Sequence, residues 1–337
     1  MKLRFTKKTF LFKRPSGTSR GILKEKHSWF IEIWNATNPK IIGFGECSII
    51  PGLSPEYISI EQYEKKLKEL CANPTIDISE WPSIKFGLEC ALRDLENGGK
   101  RIYFKNDFVK GTLKLPINGL VWMGDENFMR EQIEQKLREG FRTIKMKIGA
   151  IDFDTEIKLL KSIRSRYNKN QITLRVDANG AFSPEETKEK LTILNQLDIH
   201  SIEQPIKQGQ WSKMRELCEQ TPLPIALDEE LIGINRRLEK VKLLDTIQPQ
   251  YIILKPSLHG GISGTQEWIE LAEERNISWW ITSALESNIG LDAICQLAAE
   301  YQNPLPQGLG TGSLYVNNIK NDLIVEQGYI YKTRKNS

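Results

Sequence analysis

The sequence predicts an α/β fold, a parallel strand-helix barrel preceded by a smaller α+β domain, on three observations. From about residue 110 short apolar runs alternate with amphipathic helical runs, whereas the preceding residues place strand patterns first and helices second. Five charged residues, Lys147, Asp177, Glu203, Asp228 and Lys255, stand at or near the C-terminal ends of successive apolar runs, at intervals of 30, 26, 25 and 27 residues. Such an interval holds one strand, one helix and two loops, so one charge recurs per unit. In a closed barrel of eight units, about 250 residues, the strand C-termini converge on one mouth, and the five charges meet there.

The N-terminal domain is read over 1–108. LRFTKKTFLFKR, SRGILKEKHSWFIEIWN and IIGFGE alternate with period two, separated by turns at Pro15-Ser16-Gly17 and ATNPK, which describes a three-stranded meander. After the loop SIIPGLSPE, apolar residues at three- and four-residue steps predict two helices, one through Ile60, Tyr63, Leu67 and Leu70, one through Ile84, Leu88, Ala91 and Leu95. The second ends at Asn97-Gly98-Gly99.

The barrel is read over 109–317, with strands at Leu113 to Ile117, Thr143 to Ile148, Ile172 to Asp177, Ser201 to Pro205, Pro224 to Asp228, Tyr251 to Lys255, Ser278 to Ser283 and a weak eighth at Gln307 to Gly310. Seven helical stretches lie between them, one with Ser183 as its N-cap. No helix follows the last strand. DLIVEQGYIYK is extended instead, and residues from about 318 to 337 are expected to return to the first domain.

Composition narrows the function. The chain has 337 residues, 39% hydrophobic and 27% charged, with a net charge of +4 and no apolar stretch near the roughly 20 residues that cross a bilayer. Its positive charges are interleaved with acids along helices, which implies neither nucleic acid nor membrane as a partner. The basic start alternates with apolar residues and lacks a signal-peptide core, and five scattered cysteines show no paired spacing, so a cytoplasmic protein with reduced thiols is expected. Neither GxGxxG nor HExxH is present, and His200 and His259 read as packed or solvent-facing residues.

The charges carry the chemistry. Lys145 and Lys147 are two apart on one strand and share a face, which in a barrel is the interior. Buried lysines lose several kcal/mol of hydration unless paired, and RVDANG, SIEQPI and ALDEE supply carboxylates at the neighbouring strand ends. Three oxygen ligands suit a hard divalent cation such as Mg²⁺, beside which a lysine can act as a base. Lys255, on the sixth strand, lies across the ring from Lys147 on the second. One acid at a strand end is ordinarily a helix cap or a loop residue, but that reading does not explain five charges at matched positions.

KMK, VDANG, EQP, LDEE and LKP together resemble the enolase superfamily, in its muconate-lactonizing-enzyme subgroup, over essentially the whole chain. Within it, LKPSLHGGISG, SALESNIGLDAI and QGLGTGSLYVNNI resemble the o-succinylbenzoate synthase family. The resemblance implies a modified TIM barrel, (β/α)7β, under an α+β capping domain, with Asp177, Glu203 and Asp228 as Mg²⁺ ligands. It further implies syn-dehydration of the small carboxylate 2-succinyl-6-hydroxy-2,4-cyclohexadiene-1-carboxylate, in menaquinone biosynthesis. Lys147 is then base and acid in turn, and Lys255 a stabilising cation. Lys145, Glu229 and Asn179 are assigned supporting places, Lys145 by like-charge repulsion on Lys147.

Substrate contacts are expected from Arg175, which shares the face of Asp177, and from Ser283 at the end of the seventh strand. Gly260 and Gly261 open a helix whose free N–H groups suit a carboxylate. PSGTSRG and GECSIIPGLSPE resemble the substrate-covering loops of the subgroup, with Arg20 as a reader. Two alternatives stand beside this reading. One is an N-acylamino-acid racemase or dipeptide epimerase using the same two lysines, although the aspartate motif typical of epimerases after the last strands is not seen. The other is a noncatalytic metal-stabilised barrel, which has no need of two interior lysines.

Overall fold

The computed structural model describes residues 1–18 and 21–333. Strands β1 (Lys2–Thr18), β2 (Gly21–Asn35) and β3 (Asn38–Ser48) form the antiparallel meander, in that order. Alternation along β2 turns Trp29, Ile31 and Ile33 to one face, where they pack with Tyr63, Leu67 and Leu70 of α1 (Ile60–Ala72) and Ile84 and Ala91 of α2 (Pro82–Glu96). Helix α2 lies directly on β3. A Cβ at Gly43 or Gly45 would stand 1.9 Å from the carbonyl oxygens of Ala91 and Gly87, so these two glycines make the contact possible.

β4 (Leu115–Pro116) is followed by β5 (Gly119–Val121), β6 (Thr143–Lys147), β7 (Thr173–Asp177), β8 (Ile199–Glu203), β9 (Ile225–Leu227), β10 (Tyr251–Leu254) and β11 (Ser278–Ile281). Strands β5 to β11 are parallel, each beside its sequence neighbour. Seven helices alternate with them among the described residues: α3 (Glu126–Arg138), α4 (Phe153–Arg164), α5 (Pro184–Asn195), α6 (Trp211–Gln220), α7 (Arg237–Ile247), α8 (Gly261–Glu273) and α9 (Asn288–Ala298). Ser183 caps α5 in a capping box with Glu186.

Residues 307–308 close the ring. Gln307 bridges to Ile117 and Gly308 to Thr282, with Gly308 N–H donating to Ile281 O at 2.8 Å and Asn118 N–H to Gln307 O at 3.0 Å. The weak eighth run is thus a pair of single bridges. The first barrel strand is also displaced from its expected place. Leu115–Pro116 pairs antiparallel with β13 (Tyr329–Lys332) of a hairpin completed by β12 (Leu323–Glu326), and the parallel sheet begins at Gly119. Pro116 has no N–H to give a second neighbour, which suits it to that edge. The C-terminal hairpin therefore pairs with the segment leading into the barrel and not with the N-terminal meander.

Strand alternation sorts the side chains. Ile144, Met146, Leu174, Val176, Ile202, Leu227, Ile252 and Leu254 join the large core shared with the helices. Ala226, Ile253 and Trp280, on the opposite parity, form a separate cluster inside the barrel with Tyr251 and Leu305. Among the described residues no helix is long and apolar enough to cross a membrane, and all five thiols are free.

Candidate active site

The parallel register sets the charges in rows. Lys145, Arg175 and Ser201 are mutual partners across β6, β7 and β8, and Lys147, Asp177 and Glu203 form the next row, two residues nearer the mouth. Asp228 follows β9 and Lys255 follows β10, each two residues beyond an inward-facing residue, Ala226 and Ile253. Lys145, Lys147, Asp177, Glu203, Asp228 and Lys255 all line one cavity, together with Asn179 and Glu229.

Asp177 Oδ2 accepts from Lys145 Nζ at 2.9 Å and from Lys147 Nζ at 3.0 Å. Lys145 also pairs with Glu203, and Lys255 with Asp228. Burial works against each charge, but the carboxylates of Asp177, Glu203 and Asp228 together outweigh it at Lys145, and those of Asp228, Glu203 and Glu229 together outweigh it at Lys255, so both ammonium groups are held above the ordinary lysine value. Asp177 is likewise buried, and its two lysines hold its carboxyl below the usual range. Glu203 and Glu229 are pushed the other way, by burial first and then by the neighbouring carboxylates of Asp177 and Asp228.

Asn179 sits in the left-handed region at φ 46°, a conformation asparagine tolerates. There its N–H reaches Asp177 Oδ1 at 3.1 Å, its Oδ1 accepts from Lys147 Nζ at 2.6 Å, and its Nδ2 donates to Glu229 Oε1 at 2.9 Å. It joins Lys147, Asp177 and Glu229 to one another.

The donors suit a hard cation. Glu203 Oε1 and Asp228 Oδ1 are buried carboxylate oxygens without a hydrogen-bond partner, an arrangement that is costly unless another positive group meets it. Among the described residues the acids are not drawn together as a ready-made cage; Asp177 and Glu203 turn to Lys145, and Asp228 to Lys255.

Four residues expected to contact substrate are not brought into the cavity or lie outside the described residues. Arg175 turns away from the mouth, its Nη1 donating to Pro306 O at 2.8 Å and its guanidinium lying 4.0 Å from the Trp280 ring centre, and burial pushes it down to about 10. The N–H groups that open α8 are already engaged: Glu89 of α2 accepts from Ile262 N–H at 2.5 Å and Ser263 N–H at 3.2 Å, and Gly261 N–H donates to Pro256 O at 2.9 Å. Gly260 and Gly261 therefore serve the joint between the two domains. Arg20 lies outside the described residues. Ser283, in contrast, lines the cavity, with its Oγ 2.6 Å from Glu286 Oε2.

Several contributors have no charge pattern to mark them. Leu23, Ile50 and Leu53 of the N-terminal domain and Trp122 after β5 supply an apolar wall. Of the two N-terminal segments expected to cover the site, GECSIIPGLSPE supplies Ile50 and Leu53, while PSGTSRG includes residues outside the described ones. Gln204, at φ 38°, accepts from the N–H groups of Asp228 at 3.2 Å and Glu230 at 3.3 Å, tying the end of β8 to that of β9. Its signal was the EQP triplet, read only for its glutamate. His259 is a packed residue whose Nδ1 accepts from Lys255 N–H at 2.9 Å.

The family model described as enolase C-terminal domain-like matches residues 128–335. The o-succinylbenzoate synthase of Desulfotalea psychrophila is 46% identical over 98% of both chains. A crystal structure of MenC from the same organism superposes with a TM-score of 0.87, at 42% identity over 98% of this chain and 99% of that one. The L-Ala-D/L-Glu epimerase of Bacillus subtilis is more distant, 29% identical over 66% of this chain and 60% of its own length. On the barrel geometry, the charged rows and these likenesses, the chain is an enzyme and belongs to the o-succinylbenzoate synthase family of the enolase superfamily.

Proposed function

We propose that this chain is a Mg²⁺-dependent lyase that dehydrates 2-succinyl-6-hydroxy-2,4-cyclohexadiene-1-carboxylate to o-succinylbenzoate, a step of menaquinone biosynthesis in the cytoplasm. The observation that carries the reading is the single cavity lined by Lys147 and Lys255, Lys147 tied to Asp177 and Lys255 to Asp228. The relative at 46% identity over 98% of the chain favours dehydration over epimerisation, since epimerase relatives stand at 29% over 66%, 32% over 50% and 26% over 85% of the chain.

Asp177, Glu203 and Asp228 would hold the cation, two of them with buried oxygens still lacking a partner. When bound, Mg²⁺ supplies electrostatic stabilisation of the negative charge that develops on the substrate carboxylate. The Nζ of Lys147, steered by Asn179 Oδ1 and Asp177 Oδ2, takes the proton alpha to that carboxylate. The electron pair of the broken C–H bond completes the aromatic ring as the C–O bond breaks. Hydroxide leaves from the same face, collects the proton from Lys147 and departs as water. Lys255, held beside Asp228, presents its cation to the ring. The apolar wall of Leu23, Ile50, Leu53 and Trp122 keeps water from the reacting carbon.

The test offers purified protein and Mg²⁺ the cyclohexadiene carboxylate and, separately, N-succinyl amino acids and dipeptides. Dehydration abolished by EDTA supports the assignment. Rapid deuterium exchange into dipeptides without any dehydration replaces it with an epimerase.

A further inference from the structure

Lys26 is a buried lysine with no part in the chemistry proposed above. It lies on β2 of the capping domain, 3% exposed, and its Nζ donates to Ala284 O at 2.9 Å, to Leu285 O at 2.7 Å and to Ser48 Oγ. An ammonium has three donors and no acceptor, so the three oxygens satisfy it fully. Two of them belong to the turn after β11, whose residues Ser283, Ala284 and Leu285 line the cavity.

That turn is unusual in itself. Leu285 stands at φ 61°, in the left-handed region that a side chain with a Cβ rarely adopts, so surrounding contacts must hold it there. Tyr315 donates its hydroxyl to the same Leu285 carbonyl at 2.6 Å. Glu286, next in the chain, accepts from Ser283 Oγ at 2.6 Å and from Ser257 Oγ at 2.5 Å, so the turn reaches the segment just after Lys255. Glu46, on β3 of the capping domain, accepts from Ser287 N–H at 2.9 Å and Gly290 N–H at 2.8 Å. The capping sheet thus grips both the carbonyls of the turn and the amides that follow it.

We infer that Lys26 is a positioning residue for substrate binding, a latch by which the capping sheet holds the 283–286 turn in the shape that faces the substrate. The inference rests on the function proposed above only for its kinetic readout. Burial lowers the Lys26 ammonium to about 8, against the opposing pull of Glu286 in the turn and Glu46 on β3. Tyr315, on the far side of the Leu285 carbonyl, is buried and its phenol is pushed up, so it remains neutral. Above that pH a neutral amine keeps two donors for three acceptors, and the latch loosens.

The experiment compares wild type with Lys26→Met and Tyr315→Phe by steady-state kinetics from pH 6.5 to 9.5, and by hydrogen exchange of residues 283–290 without substrate. For Lys26→Met the latch gives a KM raised about tenfold with kcat within about twofold, the pattern of lost binding without lost chemistry. Wild-type KM then climbs above about pH 8, as it does in Tyr315→Phe, while the Lys26→Met profile lacks that limb. Exchange over 283–290 is faster in Lys26→Met. Unchanged exchange and KM in Lys26→Met overturn the inference, as does a fall in kcat at constant KM. Should Lys26→Met not fold, wild type decides alone: intrinsic-rate-corrected exchange at 283–290 accelerates through pH 8, and the absence of that acceleration overturns the latch. The exchange measurement needs no substrate, so failure of the dehydratase assignment and failure of the latch are separable.

Discussion

Asp177 on β7 and Glu203 on β8 are direct register partners, two carboxyl groups side by side in a buried parallel pair. Like charges so placed are unfavourable, and the protein sets the Lys145 ammonium against both. The same pair supplies two of the three acids proposed to hold the cation, so stability and chemistry draw on one arrangement.

Removing the acid that serves two lysines should cost more than removing the acid that serves one. Asp177→Asn leaves Lys145 and Lys147 without their shared oxygen, and a loss of about 3 kcal/mol is expected, the scale of a broken buried ion pair. Glu203→Gln deprives only Lys145 and should cost less. In wild type, millimolar Mg²⁺ should raise the thermal midpoint by mass action, and neither variant should show the full rise. Urea unfolding with and without Mg²⁺ checks this; equal stabilities and equal Mg²⁺ responses in all three proteins contradict it.

Gly261→Ala should damage the fold and spare substrate affinity. The residue has φ 76°, and an added Cβ would meet Glu89 Oε2 at 2.5 Å and Phe86 N at 3.1 Å. A loss on the order of 1 to 2 kcal/mol follows from the backbone strain and the crowded joint. The pertinent comparison is KM against thermal midpoint. A raised KM at an unchanged midpoint would return the α8 N-terminus to the substrate site.

Acid should weaken the protein through its histidines. Burial pushes His259 down to about 3 and His200 down to about 4, from an ordinary value of 6.5. Below 6.5 the unfolded chain binds protons that the folded chain refuses, so stability is lost as pH falls from 6.5 toward those lowered values. His259→Gln, with an amide oxygen available for the Lys255 N–H, should flatten part of the slope. Denaturation midpoints across pH 7 to 4 report it, and an unchanged slope in the variant removes His259 from the account.

The charged site was legible because strand register and period are local facts. Residues two apart on a strand share a face, so KMK and RVD already placed Lys145, Lys147 and Asp177 inside the barrel, and one charge per unit placed the others at the same level. The direction of a long side chain is a different matter. Arg175 has the same parity as Asp177, yet the Trp280 ring and the Pro306 carbonyl draw it toward the other end of the barrel, and both lie more than a hundred residues away in sequence. The α8 N-terminus looked open for the same reason, since the carboxylate that fills it comes from Glu89. Closure of the ring by two single bridges leaves too short an apolar run to mark a strand, and Leu115–Pro116 reads as a barrel strand until its partner, Tyr329–Ile330, is seen.

If the Lys147 amine moves the alpha proton, the dehydration rate of Lys147→Ala with saturating Mg²⁺ reports it. With circular dichroism and thermal midpoint close to wild type, kcat should fall by about 10³-fold or more, the range of a lost general base. A variant that dehydrates the cyclohexadiene carboxylate within a few fold of the wild-type rate contradicts the account.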